Sequence, residues 1–169
     1  MRKDGLYATA QLRLFRRRVT VKPMEAIQEF AKFLTTLCCG LFAGAAIYVN
    51  LVEHPARIEC GTGLAVAEFG PSYRRAAVMQ ASLAATGFVC SIVAWLSGAG
   101  IGWLAGGILL GSAIPFTFVI IMPFNKQLLD PTLDKASTKT QELLARWGKL
   151  HAVRSTLSGI ALVIFLLSA

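Results

Sequence analysis

The sequence predicts an all-α fold, an integral membrane four-helix bundle, on three observations. Hydrophobic residues make up 55% of the 169-residue chain and charged residues only 15%, and the mean hydropathy is +0.59, far above a soluble domain's. The apolar surplus is gathered into spans at about residues 33–52, 76–96, 101–124 and 150–169, each close to the roughly 20 residues a helix needs to cross about 30 Å of hydrocarbon. Backbone groups in lipid must be hydrogen-bonded within their own segment, so these runs are helices, and they lack the polar outer faces of a soluble bundle.

The four spans form one domain, residues 24–169, behind a basic tail at residues 1–23. Arg2, Lys3, Arg13, Arg16, Arg17, Arg18 and Lys22 face a single acid there, Asp4, and Pro23 closes it. Without an apolar core the tail is no secretory signal; it reads as a disordered, topology-setting segment, with an organelle transit peptide as the alternative. The net charge of +8 resides in this tail and the loops rather than along a groove-sized helix, which points to anionic lipid and topology, not to nucleic acid. Of the four cysteines, Cys38, Cys39 and Cys90 fall inside spans and Cys60 in a loop. They make no disulfide framework and no Cys-x-x-Cys pair that could relay electrons to a quinone.

Taken in order, the first span carries Gly40 and Gly44, a small-xxx-small pair suited to close helix approach. It ends in Tyr-Val-Asn-Leu-Val-Glu-His-Pro-Ala-Arg at 48–57. Asn50, Glu53, His54 and Arg57 follow i, i+3, i+4, i+7 spacing, which predicts one polar stripe, and Pro55 predicts a kink or helix end near His54. After a loop with a helix-friendly piece at 64–69, Gly70 and Pro71 are expected to restart the helix of the second span. Tyr73, Arg74 and Arg75 stand at its entrance, the two arginines placed to snorkel to phosphate, and Gln80 lies farther in. Residues 97–100 make a minimal turn into the third span, where Gly102 with Gly106 and Gly107 with Gly111 favour close packing and Pro115 predicts a bend. Pro123, Phe124 and Asn125 close that span. Asp130-Pro131 marks a turn, and Thr138 with Gln141 resembles a capping box for the last helix, in which Trp147, His151, Arg154 and Ser158 share one face.

Four spans bring the exit of the first, the entry of the second, the exit of the third and the entry of the fourth to one membrane side. Asn50, Glu53, His54, Tyr73, Arg74, Gln80, Asn125, Trp147, His151 and Arg154 therefore share a slab, and ionisable groups there must pair or line a cavity. One reading is a bundle clasp in which Glu53 pairs with Arg154. The other is a site in which Glu53, His54, His151 and Arg154 do chemistry while Asn50, Tyr73, Gln80, Asn125 and Trp147 contact a substrate, a histidine moving the proton. Nothing in the spacing demands a metal or a haem, and no polar stripe continues to the opposite face as a channel would need.

The motif at 48–57, Pro-Phe-Asn at 123–125, and Trp147 with His151, Val153 and Arg154 resemble the anthrone-oxygenase-like family of small four-span membrane proteins, over roughly residues 30–169. The resemblance implies four transmembrane helices and, in some fungal members, oxidation of an anthrone to a quinone by dioxygen with no known cofactor. Most members have no assigned activity, and the resemblance carries no catalytic residue with it. Two function classes follow: an oxygenase or oxidoreductase for a small apolar aromatic, anthrone- or quinol-like, and a non-catalytic membrane scaffold or assembly partner. The expected partners are the lipid bilayer, the aromatic substrate, dioxygen and a second copy through the glycine-rich faces. The basic flank of the first span predicts a multi-pass protein with a cytoplasmic tail.

Overall fold

The computed structural model describes residues 23–169, so the tail predicted at 1–23 lies outside the described residues except for Pro23, which opens the first helix instead of closing the tail. Four helices cross in alternating directions: α1 (Pro23–Glu59), α2 (Thr62–Leu96), α3 (Ile101–Leu128) and α4 (Thr138–Ser168). Each is longer than its apolar run, and each is long and apolar enough to cross a membrane. The tight α1–α2 and α2–α3 turns rest on Gly61 (φ 92°) and Gly98 (φ 97°), in the left-handed region that favours glycine.

Helix α2 differs from expectation in running unbroken through Gly70-Pro71. Its first turns bury Ala65, Val66 and Phe69 in an apolar cluster with Leu143, Leu144 and Trp147 of α4, and that burial offsets the backbone bond proline cannot make. Pro71 faces outward, so the freed carbonyl is not trapped in the core. At the start of α4 the cap sits one residue before the predicted box: Ser137 Oγ accepts from the Thr140 backbone N–H at 3.3 Å. In the preceding turn Thr132 donates its backbone N–H and hydroxyl to Asp130 Oδ1, which holds that exposed carboxyl below its usual range.

Two wide π turns, Val49–Glu53 in α1 and Thr117–Ile121 in α3, interrupt the α-helical geometry. Each is followed by one residue and then a proline, Pro55 or Pro123. Because proline has no N–H to give, the preceding residue bonds farther back: His54 N–H reaches the Val49 carbonyl and Met122 N–H the Thr117 carbonyl. The extra residue is absorbed and the helix goes on. Thus α1 does not stop at His54 but continues to Glu59.

The helices form a ring in which α1 and α3 each pack on α2 and α4. Glycines set the closeness on α3. A Cβ on Gly106 would lie 2.6 Å from the Phe165 ring of α4, and one on Gly111 2.8 Å from the Phe88 ring of α2. Gly44, by contrast, meets nothing within 4 Å among the described residues, and Gly40 only the tip of Leu162 at 3.9 Å, so the α1 pair seats no described neighbour. Two apolar cores result. One, around Phe42, Trp103, Leu110 and Phe165, fills the half near the α2–α3 turn. The other, around Phe69, Ile121, Leu144 and Trp147, fills the opposite rim.

Overpacking the glycine seam should therefore be costly where the Cβ has no room. Gly106→Leu is expected to lose about 1–3 kcal/mol of stability, seen as a lower thermal unfolding midpoint in detergent, whereas Gly44→Leu leaves the midpoint near that of the native protein. Equal midpoints for the two variants would contradict this packing.

Candidate functional site

A cavity of about 360 Å³ lies between the two cores, and all four helices contribute to it. Its apolar wall comes from Phe42 of α1, Phe69, Ala76, Ala77, Ala81 and Ala84 of α2, and Ala113, Ile114 and Ile121 of α3. Small alanines on α2 leave the volume open, and aromatic rings give it flat faces. Both π turns line it, through Val49 and Glu53 on one side and Thr117, Phe118 and Ile121 on the other. Bulges of this kind recur at functional sites because they turn side chains that a regular helix would direct elsewhere.

Arg154 stands at the deep end. Its Nη2 donates to Gln80 Oε1 at 2.6 Å and to His151 Nε2 at 2.6 Å, and its Nη1 reaches Thr117 Oγ1 at 3.5 Å. The guanidinium carbon lies 5.5 Å from the centre of the Phe42 ring. Among the described residues no carboxylate reaches it, and its Nε has no hydrogen-bond partner. A guanidinium has only donors, so His151 Nε2 accepts, and the imidazole hydrogen sits on Nδ1, which donates to Asn50 Oδ1 at 2.6 Å. Asn50 is fixed in turn: its Oδ1 also accepts from Ser155 Oγ at 2.5 Å, and its Nδ2 donates to the Gly148 carbonyl at 3.0 Å. The chain of bonds therefore defines both the amide orientation and the tautomer of His151.

The rim end holds a separate charged group. Arg57, with 8% of its surface exposed, pairs with Glu53 of its own helix and with Glu68 of α2 at 2.8 Å. Ser72 Oγ donates to Glu53 Oε1 at 2.9 Å. Asn125 is fully buried and accepts from Trp147 Nε1 at 2.8 Å, which ties α3 to α4 at this level. Tyr73 stacks on Phe69 and directs its hydroxyl to Met122 Sδ at 3.7 Å.

Of the nine residues given catalytic or substrate-contact roles from sequence, seven line this cavity: Glu53, Tyr73, Gln80, Asn125, Trp147, His151 and Arg154. Asn50 and His54 do not. The π turn splits the predicted stripe, sending Asn50 and His54 toward α4 and Glu53 with Arg57 toward α2. His54 is buried against Trp147, with ring centres 5.2 Å apart, and sits so close over Gly148 that a Cβ there would be 2.6 Å from its Nε2. The i, i+3, i+4, i+7 rule assumes about 3.6 residues per turn, and the wide turn breaks it. Sequence reasoning passed over Ser72, Glu68, Thr117 and Ser155. Of these only Ser155, four residues after His151, carried a spacing signal.

The described residues contain no convergence of three His, Cys, Asp or Glu side chains. The Trp147 indole packs on both imidazoles, 5.2 Å from His54 and 4.8 Å from His151, so a planar cofactor between the histidines would have to displace it. What the site offers is a proton acceptor, a cation and apolar walls.

The chain is 28% identical over 132 residues to anthrone oxygenase tpcL of Aspergillus fumigatus, an alignment that covers 72% of this chain and 82% of that protein. No solved structure matches it. The profile of the anthrone oxygenase family matches residues 69–164, which take in most of α2, all of α3 and most of α4 and leave the 48–57 motif outside. With more than half of its length matched, including Gln80, Asn125, Trp147, His151 and Arg154, the chain belongs to the anthrone oxygenase family.

Proposed function

We propose that this chain is a membrane oxygenase that takes a small apolar aromatic, anthrone- or quinol-like, into the cavity and oxidises it with dioxygen. The observation that carries the reading is the pairing, at the end of an apolar cavity, of a guanidinium with no carboxylate partner among the described residues and an imidazole nitrogen whose lone pair, among those residues, is held by that guanidinium. The cavity volume of about 360 Å³ lies within the ordinary range for small-ligand sites. The name of the fungal relative supports the same chemistry.

For an anthrone-like substrate the groups divide as follows. The ring system lies against Phe42, Phe69 and Trp147, and its carbonyl oxygen takes the Arg154 guanidinium. As Arg154 turns to that oxygen, the His151 Nε2 lone pair is released to remove a proton from the ring CH2, and Arg154 stabilises the enolate oxygen. The electron-rich carbon passes electrons to dioxygen and forms a C–O bond. Loss of the second carbon-bound hydrogen with O–O cleavage leaves one oxygen atom as the new carbonyl and the other in water. The sum is CH2 plus O2 giving C=O plus H2O, which needs no outside reductant. Asn50 acts through His151 by holding its tautomer, His54 acts through Trp147, and Glu53 stands at the rim with Arg57. Gln80, Asn125 and Tyr73 complete the substrate contacts.

The scaffold alternative rests on Glu53 clasping Arg154. Glu53 is instead taken by Arg57 and Ser72, and space remains beside Arg154. A second copy of the chain would pack at Gly44, which no described side chain approaches within 4 Å. The basic residues before α1 support a cytoplasmic tail.

Three outcomes are expected. His151→Ala and Arg154→Ala should each lower anthrone turnover in membranes by about 10²–10³-fold, with Arg154→Lys retaining part of it; full activity in both alanine variants would remove the assignment. Turnover should survive chelation and dialysis, and a loss reversed by one divalent metal would overturn the cofactor-free step. Cys60, the exposed cysteine among the four, should react with a membrane-impermeant maleimide in intact cells, and labelling only after permeabilisation would reverse the orientation.

A further inference from the structure

The cavity is walled partly by residues that also face outward. Val78 of α2 is 70% exposed and Phe118 of α3 is 64% exposed, yet both line it, as does the exposed Ala81. The opening therefore lies sideways, between α2 and α3. Its level follows from helix rise: Arg74 and Arg75 belong with the lipid headgroups, and Val78 and Ala81 come three and six residues later, about 5–9 Å deeper at 1.5 Å per residue. That depth is hydrocarbon. Near the α2–α3 turn the same two helices are closed on each other, with Gly107 against Ser91 and Gly111 against Phe88; past Pro115 the cavity separates them.

The water-facing end is different. Arg57, buried and paired with both Glu53 and Glu68, ties the end of α1 to the start of α2, and Ser72 joins the same network. An apolar ring would have to break two ion pairs to pass there, whereas between Val78, Ala81 and Phe118 it meets only hydrocarbon side chains. We propose that the gap between α2 and α3 at Val78, Ala81 and Phe118 is a lateral portal through which the ligand enters the cavity from the bilayer interior. The ligand it admits is a lipid-partitioned aromatic, small enough to pass an alanine-lined slot, that meets Gln80 and Arg154 immediately inside. This rests on the cavity being the ligand site argued above, but not on the oxidation step.

The test uses the full chain in phosphatidylcholine vesicles and a small lipid-soluble probe, 3-trifluoromethyl-3-phenyldiazirine, with the photolabelled residues mapped by peptide mass spectrometry. Native protein should be labelled at the interior positions Phe42, Ala84 and Ala113. Ala81→Trp, and independently Val78→Trp, should abolish that labelling while the lipid-facing Ile108 and Leu167 remain labelled as before, which also checks the fold. Interior labelling that persists in both correctly folded variants, or native protein labelled at lipid-facing positions alone, would overturn the portal. Interior labelling that responds to Ala81→Trp in a protein with no anthrone turnover would support the portal and count against the oxygenase reading instead.

Discussion

A guanidinium held below the membrane surface by neutral partners is the constraint on which the rest of this bundle depends. Arg154 cannot be left bare in hydrocarbon, where an uncompensated cation costs at least about 3 kcal/mol. Its hydrogen bonds run to Gln80 of α2, Thr117 of α3 and His151 of α4, and through His151 to Asn50 of α1. Every helix thus contributes one neutral group at one depth. That requirement fixes the height of the four helices relative to one another more sharply than their apolar surfaces could, since lipid-facing side chains can slide against lipid without penalty.

The second constraint is in the backbone. Prolines near the same rim of α1 and α3 remove donors that hydrocarbon would not replace. Both helices answer with the same device, a π turn ending two residues before the proline. The wide turns continue the helices without a break, and each turns residues into the space between the two cores that a regular helix would place elsewhere. Glu53 and Thr117, at the two ends of the cavity, are both products of these turns.

How much of this was legible in the sequence follows from which forces are local. The four spans and the common depth of Asn50, Gln80, Asn125, Trp147, His151 and Arg154 could be read from apolar run lengths and span counting. Trp147, His151 and Arg154 could also be placed on one face, because α4 stays regular and 3.6-residue spacing holds along it. On α1 the same rule failed. It predicted one stripe, and the π turn divided it, so that His54 and Asn50 back the site from α4's side while Glu53 and Arg57 face α2. Arg57 was the most poorly read: after Pro55 its direction depended on whether the helix ended or absorbed an extra residue. Glu68 and Ser72 were unreadable for a related reason, since Gly70-Pro71 suggested a boundary that packing of Phe69 against α4 overrides.

The splitting of that stripe decides the electrostatics of the cavity. Had Glu53 stayed in line with Asn50 and His54, it would have faced α4 with them. The π turn instead delivers Glu53 to Arg57, which also takes Glu68, so the acids are satisfied at the rim. Among the described residues, Arg154 keeps neutral partners. A cation in a low-dielectric cavity with its acids diverted elsewhere attracts negative charge strongly, and under the proposed reaction an aromatic that is neutral in lipid would supply that charge only on losing a proton after it has bound. The backbone detour at Pro55 therefore pairs the acids at the rim and, among the described residues, leaves Arg154 without a carboxylate.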